Sequence, residues 1–67
     1  MQLTEIRSTL DTWLWQLANG GATPPQEELA RLRSAWHDQR PQIRQDYHAI
    51  IEDRLALVDS YLYRAAL

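Results

Sequence analysis

Cysteine is absent from the 67-residue chain, so neither disulfide bonds nor thiolate metal sites contribute to its stability. A domain of this size buries only about 60% of the surface of its unfolded chain. Small proteins commonly compensate with disulfides, a metal ion or association with another chain. With disulfides excluded, the sequence favours association with a partner or with a second copy.

The chain also lacks long hydrophobic runs and lysine. No apolar run approaches the ~20 residues that span a bilayer, and no basic segment followed by an apolar one marks a secretion signal. We therefore expect a cytoplasmic protein without membrane contact. All seven positive residues are arginine, and nine acidic residues give a net charge of −2. This balance disfavours general nucleic-acid binding, which depends on neutralising phosphates.

Apolar residues recur at helical spacing in three stretches of the sequence. The first predicted helix covers about residues 4–18, with Thr4 as its N-cap, and it ends at the Asn19-Gly20-Gly21 segment. The second covers about residues 24–38, where Thr23 is a capping residue and Pro24 suits the first helical position.

The third predicted helix covers about residues 42–66, because Pro41 disfavours helical geometry before it and no glycine or proline follows. The absence of strand-like alternation makes the chain all-α. We predict a single domain over residues 1–67, folded as a small three-helix bundle. It consists of a helical hairpin and a longer third helix, with dimerisation as an open alternative.

The third helix is apolar over an unusually wide arc, more than ~120° of its circumference. One line of side chains contains Ile43, Ile50, Leu57 and Tyr61, with Tyr47 close by, and a neighbouring line contains Ile51, Leu55, Val58 and Leu62. Contiguous apolar surface of this kind usually marks an interaction site. The alternative is that the first two helices cover both lines. We assign the second line to the partner surface and add Trp15, Arg54 and Tyr63.

The roles of Arg54 and Trp15 remain open in the sequence. Arg54 lies within the apolar arc, where it could pair with Asp11, meet a carboxylate of the partner, or extend its charged end into water. Trp15 lies off the apolar stripe of the first helix, so it either touches the third helix or is an exposed binding residue. Trp13 and Trp36 lie on their stripes and are predicted core residues.

A basic cluster surrounds the junction of the second and third helices, with Arg33, Arg40 and Arg44 as its candidate binding residues and Arg31 nearby. It predicts either a patch that binds an acidic protein surface or a phosphate, or a solvated face balanced by nearby acids. A nucleic-acid-binding helical dimer is the functional alternative that this patch supports.

Residues 3–11 resemble the first helix of the all-helical chorismate mutases, in which Arg7 would match a substrate-binding arginine. The family's lysine has no counterpart, because the chain contains none, and Trp13 and Trp15 depart from the pattern. An enzyme would also require a concave site beside Arg7. The two histidines, His37 and His48, form no metal-binding spacing, and both are expected on solvated faces.

We therefore expect no enzymatic activity, no cofactor and no metal. The sequence predicts a small protein-binding module that occludes or bridges the surface of another protein. A phage or bacterial inhibitor is the preferred interpretation, and a structural subunit or chaperone-like adaptor of a bacterial assembly is the alternative. Helix-face docking with aromatic and aliphatic anchors is the predicted mode of binding.

Overall fold

The structure is a computed structural model that describes all 67 residues, and it consists of three α-helices and one short 3-10 turn. Helix α1 is Leu3–Ala18, α2 is Gln26–Gln39 and α3 is Gln45–Ala66, with the turn at Arg40–Gln42 between α2 and α3. The predicted all-α, three-helix class is confirmed. None of the helices has the length and hydropathy that a membrane-spanning segment needs.

The directions of the helices follow from the contacts between them. Arg7 bonds to Tyr47 and Asp11 bonds to Arg54, so α1 and α3 run in the same direction. Arg40 pairs with Glu52 whereas Arg33 pairs with Asp59, so α2 runs opposite to α3. The bundle is therefore up-down-up, and α1 packs more extensively on α3 than α2 does.

Nine buried apolar side chains form one core, and each helix contributes three of them. They are Ile6, Leu10 and Trp13 from α1, Leu29, Leu32 and Trp36 from α2, and Ile51, Leu55 and Val58 from α3. Their spacing of three and four residues in each helix produces one apolar stripe per helix. The prediction that Trp13 and Trp36 are core residues is confirmed.

The starts of the helices differ from the sequence-based predictions. α1 begins at Leu3, with Gln2 as an N-cap that makes no side-chain cap bond, so Thr4 is not the cap. α2 begins at Gln26 and its N-cap is Pro25. The sequence Pro24-Pro25 explains the later start, because a residue that precedes proline is disfavoured in the helical region.

α3 also begins later than predicted, at Gln45 rather than near residue 42. Pro41 lies in the 3-10 turn, and Ile43 then adopts an extended conformation with φ −101° and ψ 141°. Ile43 packs against the core from this position. The chain therefore leaves helical geometry at Ile43 and Arg44, and Ile43 is half-buried against the core.

Helix α1 ends in a Schellman motif, which satisfies its last carbonyl groups. Gly21 N donates to Gln16 O at 2.6 Å, and Gly20 N donates to Leu17 O at 3.2 Å. Gly20 has a φ of 72°, in the left-handed region that disfavours residues with a Cβ atom. This geometry confirms the predicted helix end at the two glycines.

We expect Gly20→Ala to lower the free energy of unfolding by about 1 kcal/mol, because alanine is strained at this positive φ. Thermal unfolding should then shift down by roughly 4–8 °C, measured by circular dichroism. Gly20→Asn is the matched control, since asparagine tolerates the left-handed region and should lose less stability. Equal losses in the two variants would argue against strain at this position.

Candidate functional site

Arg54 joins α3 to α1 at the centre of the bundle's α1/α3 side. Its Nε donates to Asp11 Oδ1 at 2.7 Å, and its Nη1 donates to Ile50 O at 2.9 Å. The arginine side chain is 26% exposed, so it needs such partners to offset lost hydration. Of the three roles open for Arg54, the structure shows the ion pair with Asp11. A contact with a partner protein stays a prediction.

A second link between the two helices lies toward their N-terminal ends. Arg7 Nη1 donates to Tyr47 Oη at 2.9 Å, and its guanidinium also lies 5.9 Å from the centre of the tyrosine ring. The hydrogen bond to Tyr47 raises the pKa of Arg7 above its ordinary value. Together with the Arg54 bond, this contact fixes the relative position of α1 and α3 along the groove between them.

The apolar surface left open by the fold lies beside these two links. Trp15 is 69% exposed and follows Asp11 by one turn, while Leu57 is 51% exposed and follows Arg54 by one turn. Residues three or four apart lie on the same side of a helix, so both side chains lie on the Arg54–Asp11 side of the bundle. We name this surface the outer α1/α3 face, and it comprises Trp15, Ile50, Leu57 and Tyr61.

The predicted partner-binding residues differ in burial in the structure. Ile51, Leu55 and Val58 are enclosed in the core of a single copy, so their assignment to the partner surface is wrong. Their line of α3 faces α1 and α2, which cover it. Trp15 and Tyr63 are both exposed, which answers the alternative left open for Trp15. Leu62 is half-buried and packs against the core.

The predicted basic patch is neutralised by nearby carboxylates. Arg40 Nε lies 2.8 Å from Glu52 Oε2, Arg44 Nη2 lies 2.8 Å from Asp46 Oδ2, and Arg33 pairs with Asp59. All these side chains are substantially exposed, so each pair adds little to stability. A phosphate would have to compete with a carboxylate for each guanidinium, and the balanced, solvated face describes this region better than a basic patch does.

His48 and Trp36 lie against the Arg40–Glu52 pair. The rings of Trp36 and His48 meet edge to face, with centroids 5.5 Å apart, and His48 Nε2 donates to Ile43 O at 2.9 Å. His48 is therefore half-buried and holds the start of α3, contrary to the expectation of a solvated histidine. The hydrogen bond from Arg40 lowers the pKa of Glu52 below its ordinary value, and the partial loss of hydration of the carboxylate opposes this effect.

Because the pKa of Glu52 is lower in the folded state, the ionised carboxylate stabilises the fold at pH values above its ordinary pKa of 4.5. This stabilisation disappears as the pH falls through the lowered pKa. We expect Glu52→Gln to be less stable than the wild type near neutral pH. The difference should decrease as the pH falls below 4.5 and vanish once the carboxyl group of Glu52 is protonated in the folded state as well. Thermal unfolding scans across this range measure the effect. In an Arg40→Gln background the difference should be much smaller, and an undiminished difference would exclude Arg40 as the main cause.

An open groove runs along α1 beside Arg7, lined by Thr4, Arg7, Ser8, Asp11, Thr12, Trp15 and Tyr47. A concave site beside Arg7 is the feature that an enzyme would require, and the groove meets that geometric condition. Its one carboxylate, Asp11, already bonds to Arg54 and lies 4.0 Å from Arg7. The lining therefore offers no unpaired acid or base, and the absence of enzymatic activity stays a prediction.

The remaining polar groups do not converge on a metal site, since no three histidine or acidic side chains lie close enough to hold an ion. Comparisons of the chain with family models, with curated proteins and with solved structures found no match. The outer α1/α3 face is therefore the feature of the molecule that points to a function.

The sequence reasoning named Leu57 within the wide apolar arc but did not choose it as a binding residue, and it missed the Arg7–Tyr47 bond altogether. The signal that identifies Leu57 is its position next to Arg54. Because Arg54 turns toward α1, the residues beyond it on the same side, Leu57 and Tyr61, lie outside the core.

Proposed function

We propose that the chain is a protein-binding module that docks its outer α1/α3 face on the surface of another protein chain, which it occludes or bridges. The observation that carries the proposal is the joint exposure of Trp15 and Leu57 beside the Arg54–Asp11 bond. Tryptophan and other large side chains at the centre of an interface commonly supply most of its binding energy.

The total surface of the chain supports this proposal. The chain exposes 4823 Å², whereas a compact monomer of 7.9 kDa exposes about 4,400 Å² on average. The difference of about 400 Å² is roughly half of what one partner contributes to an interface of standard size. Only ten residues are buried, so a partner that covers apolar surface would add substantially to a small core.

The outer α1/α3 face is also held in one arrangement before binding. Arg54 and Arg7 each use a guanidinium to join α1 to α3, at the centre of the face and toward its N-terminal end. Their bonds fix the groove from which Trp15 projects. A rigid face loses less conformational entropy on docking, which favours binding through helix surfaces rather than through a loop that must order.

Two kinds of biological role use such a module. An inhibitor covers an active surface of its target, and a subunit or adaptor holds two components of an assembly together. We favour the inhibitor, because a chain of 67 residues with one exposed apolar face is suited to covering a site rather than to joining two proteins.

A photoreactive amino acid in place of Trp15 tests the proposal directly. In cells that produce the chain, irradiation should yield an adduct of one discrete mass, whose second component mass spectrometry then identifies. The same amino acid in place of Ala30, an exposed residue on the outer side of α2, is the matched control and should yield no such adduct. Absence of any adduct from position 15, or equal adducts from both positions, would contradict the proposal.

A further inference from the structure

The side of α3 that faces away from α1 and α2 carries a regular pattern of its own. Ile50, Asp53, Leu57, Ser60 and Arg64 follow one another at spacings of three and four residues, and Leu67, the residue that follows the end of α3, continues the spacing. This is the spacing by which one helix packs along another. None of the six is buried, and Leu67 is 88% exposed. We name these six residues the outer ridge of α3.

The outer ridge contains one acid and one base, and neither is engaged in an ion pair within the chain. Five of the seven arginines pair with a carboxylate, but Arg64 does not, and Asp53 is likewise unpaired. The Arg64 guanidinium lies 5.8 Å from the centre of the Tyr61 ring. The ridge therefore presents two unsatisfied charges of opposite sign, about 16 Å apart along the helix.

An antiparallel pairing of two outer ridges satisfies both charges at once. The register that places Asp53 of one copy opposite Arg64 of the other also places Arg64 opposite Asp53, because the arrangement has twofold symmetry. The same register places Leu57 opposite Ser60 and Ile50 opposite Leu67. A parallel pairing would instead place Asp53 against Asp53 and Arg64 against Arg64, which is unfavourable.

We propose that the partner of this face is a second copy of the chain, docked through the outer ridge of α3 as an antiparallel, twofold-symmetric dimer with two Asp53–Arg64 ion pairs. This inference rests on the proposed function: the second copy covers the α3 part of the outer α1/α3 face, and Trp15 on α1 remains exposed for the protein that the module occludes.

The overlap from Ile50 to Leu67 is about 27 Å long, which is short for a helix pair. Such an interface lies at or below the size of standard complexes, so the dimer should dissociate in the micromolar range rather than at lower concentration. The ridge is neutral overall, so two copies bring no net charge together. The match of its two charges to those of a second copy, with Ile50 opposite Leu67 at each end, is what favours a second copy over an unrelated protein.

Charge reversal tests the dimer and its register. Sedimentation equilibrium of the wild type, up to millimolar protein, should show a monomer–dimer equilibrium. Asp53→Arg and Arg64→Asp should each weaken it about tenfold, since each places two like charges together at two symmetric positions. An equimolar mixture of the two variants, and the double variant, should each restore association to nearly the wild-type strength. Asp38→Arg and Arg31→Asp are matched controls, because both side chains are exposed on α2 and unpaired.

Two outcomes would contradict the proposed dimer. One is a wild type that remains monomeric, and the other is an equimolar mixture of the two variants that associates as weakly as each variant alone. In a parallel pairing the single reversals would have no effect, because like charges would still face like charges. Circular dichroism of each variant confirms that the helices persist. If the wild type is monomeric but position 15 still forms a discrete adduct with another protein, the dimer is excluded and the proposed function stands. If the chain associates neither with itself nor with another protein, both the dimer and the proposed function are excluded.

Discussion

Replacing Ile51 with aspartate should unfold the protein. Ile51 is fully enclosed by α1 and α2, so the variant would bury a carboxylate with no partner. That burial costs several kcal/mol, and the lost apolar contacts add to it. The whole fold of 67 residues is stable by about 3–10 kcal/mol. We therefore expect the far-ultraviolet circular dichroism of this variant to be that of a largely disordered chain.

Leu57→Asp is the matched control for that experiment, because it makes the same chemical change on the neighbouring line of α3. Leu57 is half exposed, so its carboxylate would remain in water and the helices should persist. Chemical denaturation of both variants measures the difference. A folded Ile51→Asp variant together with an unfolded Leu57→Asp variant would mean that the two lines of α3 have been assigned to the wrong sides.

The same Leu57→Asp variant should lose association with its partner. A carboxylate in place of Leu57 removes apolar contact and would itself lose water on docking, and the loss of a central anchor commonly costs 2 kcal/mol or more. We expect binding at least about 30-fold weaker, whether the partner is a second copy or another protein. The readouts are sedimentation for the dimer and the yield of the position-15 adduct for any other protein.

Ala30→Asp is the control for this second prediction, since it adds the same charge to an exposed position on α2, remote from the outer α1/α3 face. It should leave both readouts unchanged. If Leu57→Asp remained folded and bound as tightly as the wild type, the outer α1/α3 face would not be the docking surface. If Ala30→Asp reduced binding equally, net charge rather than the position of the charge would explain the loss.

The helices and the bundle were predictable because their signals are local. Spacing of apolar residues, two glycines after Asn19 and a proline at position 41 are enough to divide the chain into three helices. The starts of α2 and α3 were harder to predict, since each depends on how a proline restricts its neighbours and on which side chain enters the core. Ile43 leaves helical geometry because it packs against residues distant in sequence.

The docking surface could not be assigned from α3 alone. The apolar arc of α3 is wide enough for either of its two lines of side chains to face the core. Which line does so depends on the charged side chains of α3 that pair with other parts of the bundle. Arg54 pairs with Asp11 of α1, whereas Glu52 pairs with Arg40 of the 3-10 turn and Asp59 pairs with Arg33 of α2. Arg54 marks one edge of the covered side of α3, and Glu52 and Asp59 mark the other edge. Ile51 lies between these edges, whereas Leu57 lies outside them.

The weaker packing of α2 has a consequence for how the bundle opens. α1 and α3 are joined by the Arg54 and Arg7 bonds and by their closer packing, whereas α2 meets α3 through core side chains and the solvent-exposed Arg33–Asp59 pair. We therefore expect detachment of α2 to cost less than separation of α1 from α3. Such an open form would uncover Leu55 and its neighbours on α3, so that both lines of the helix would briefly become available for misassembly.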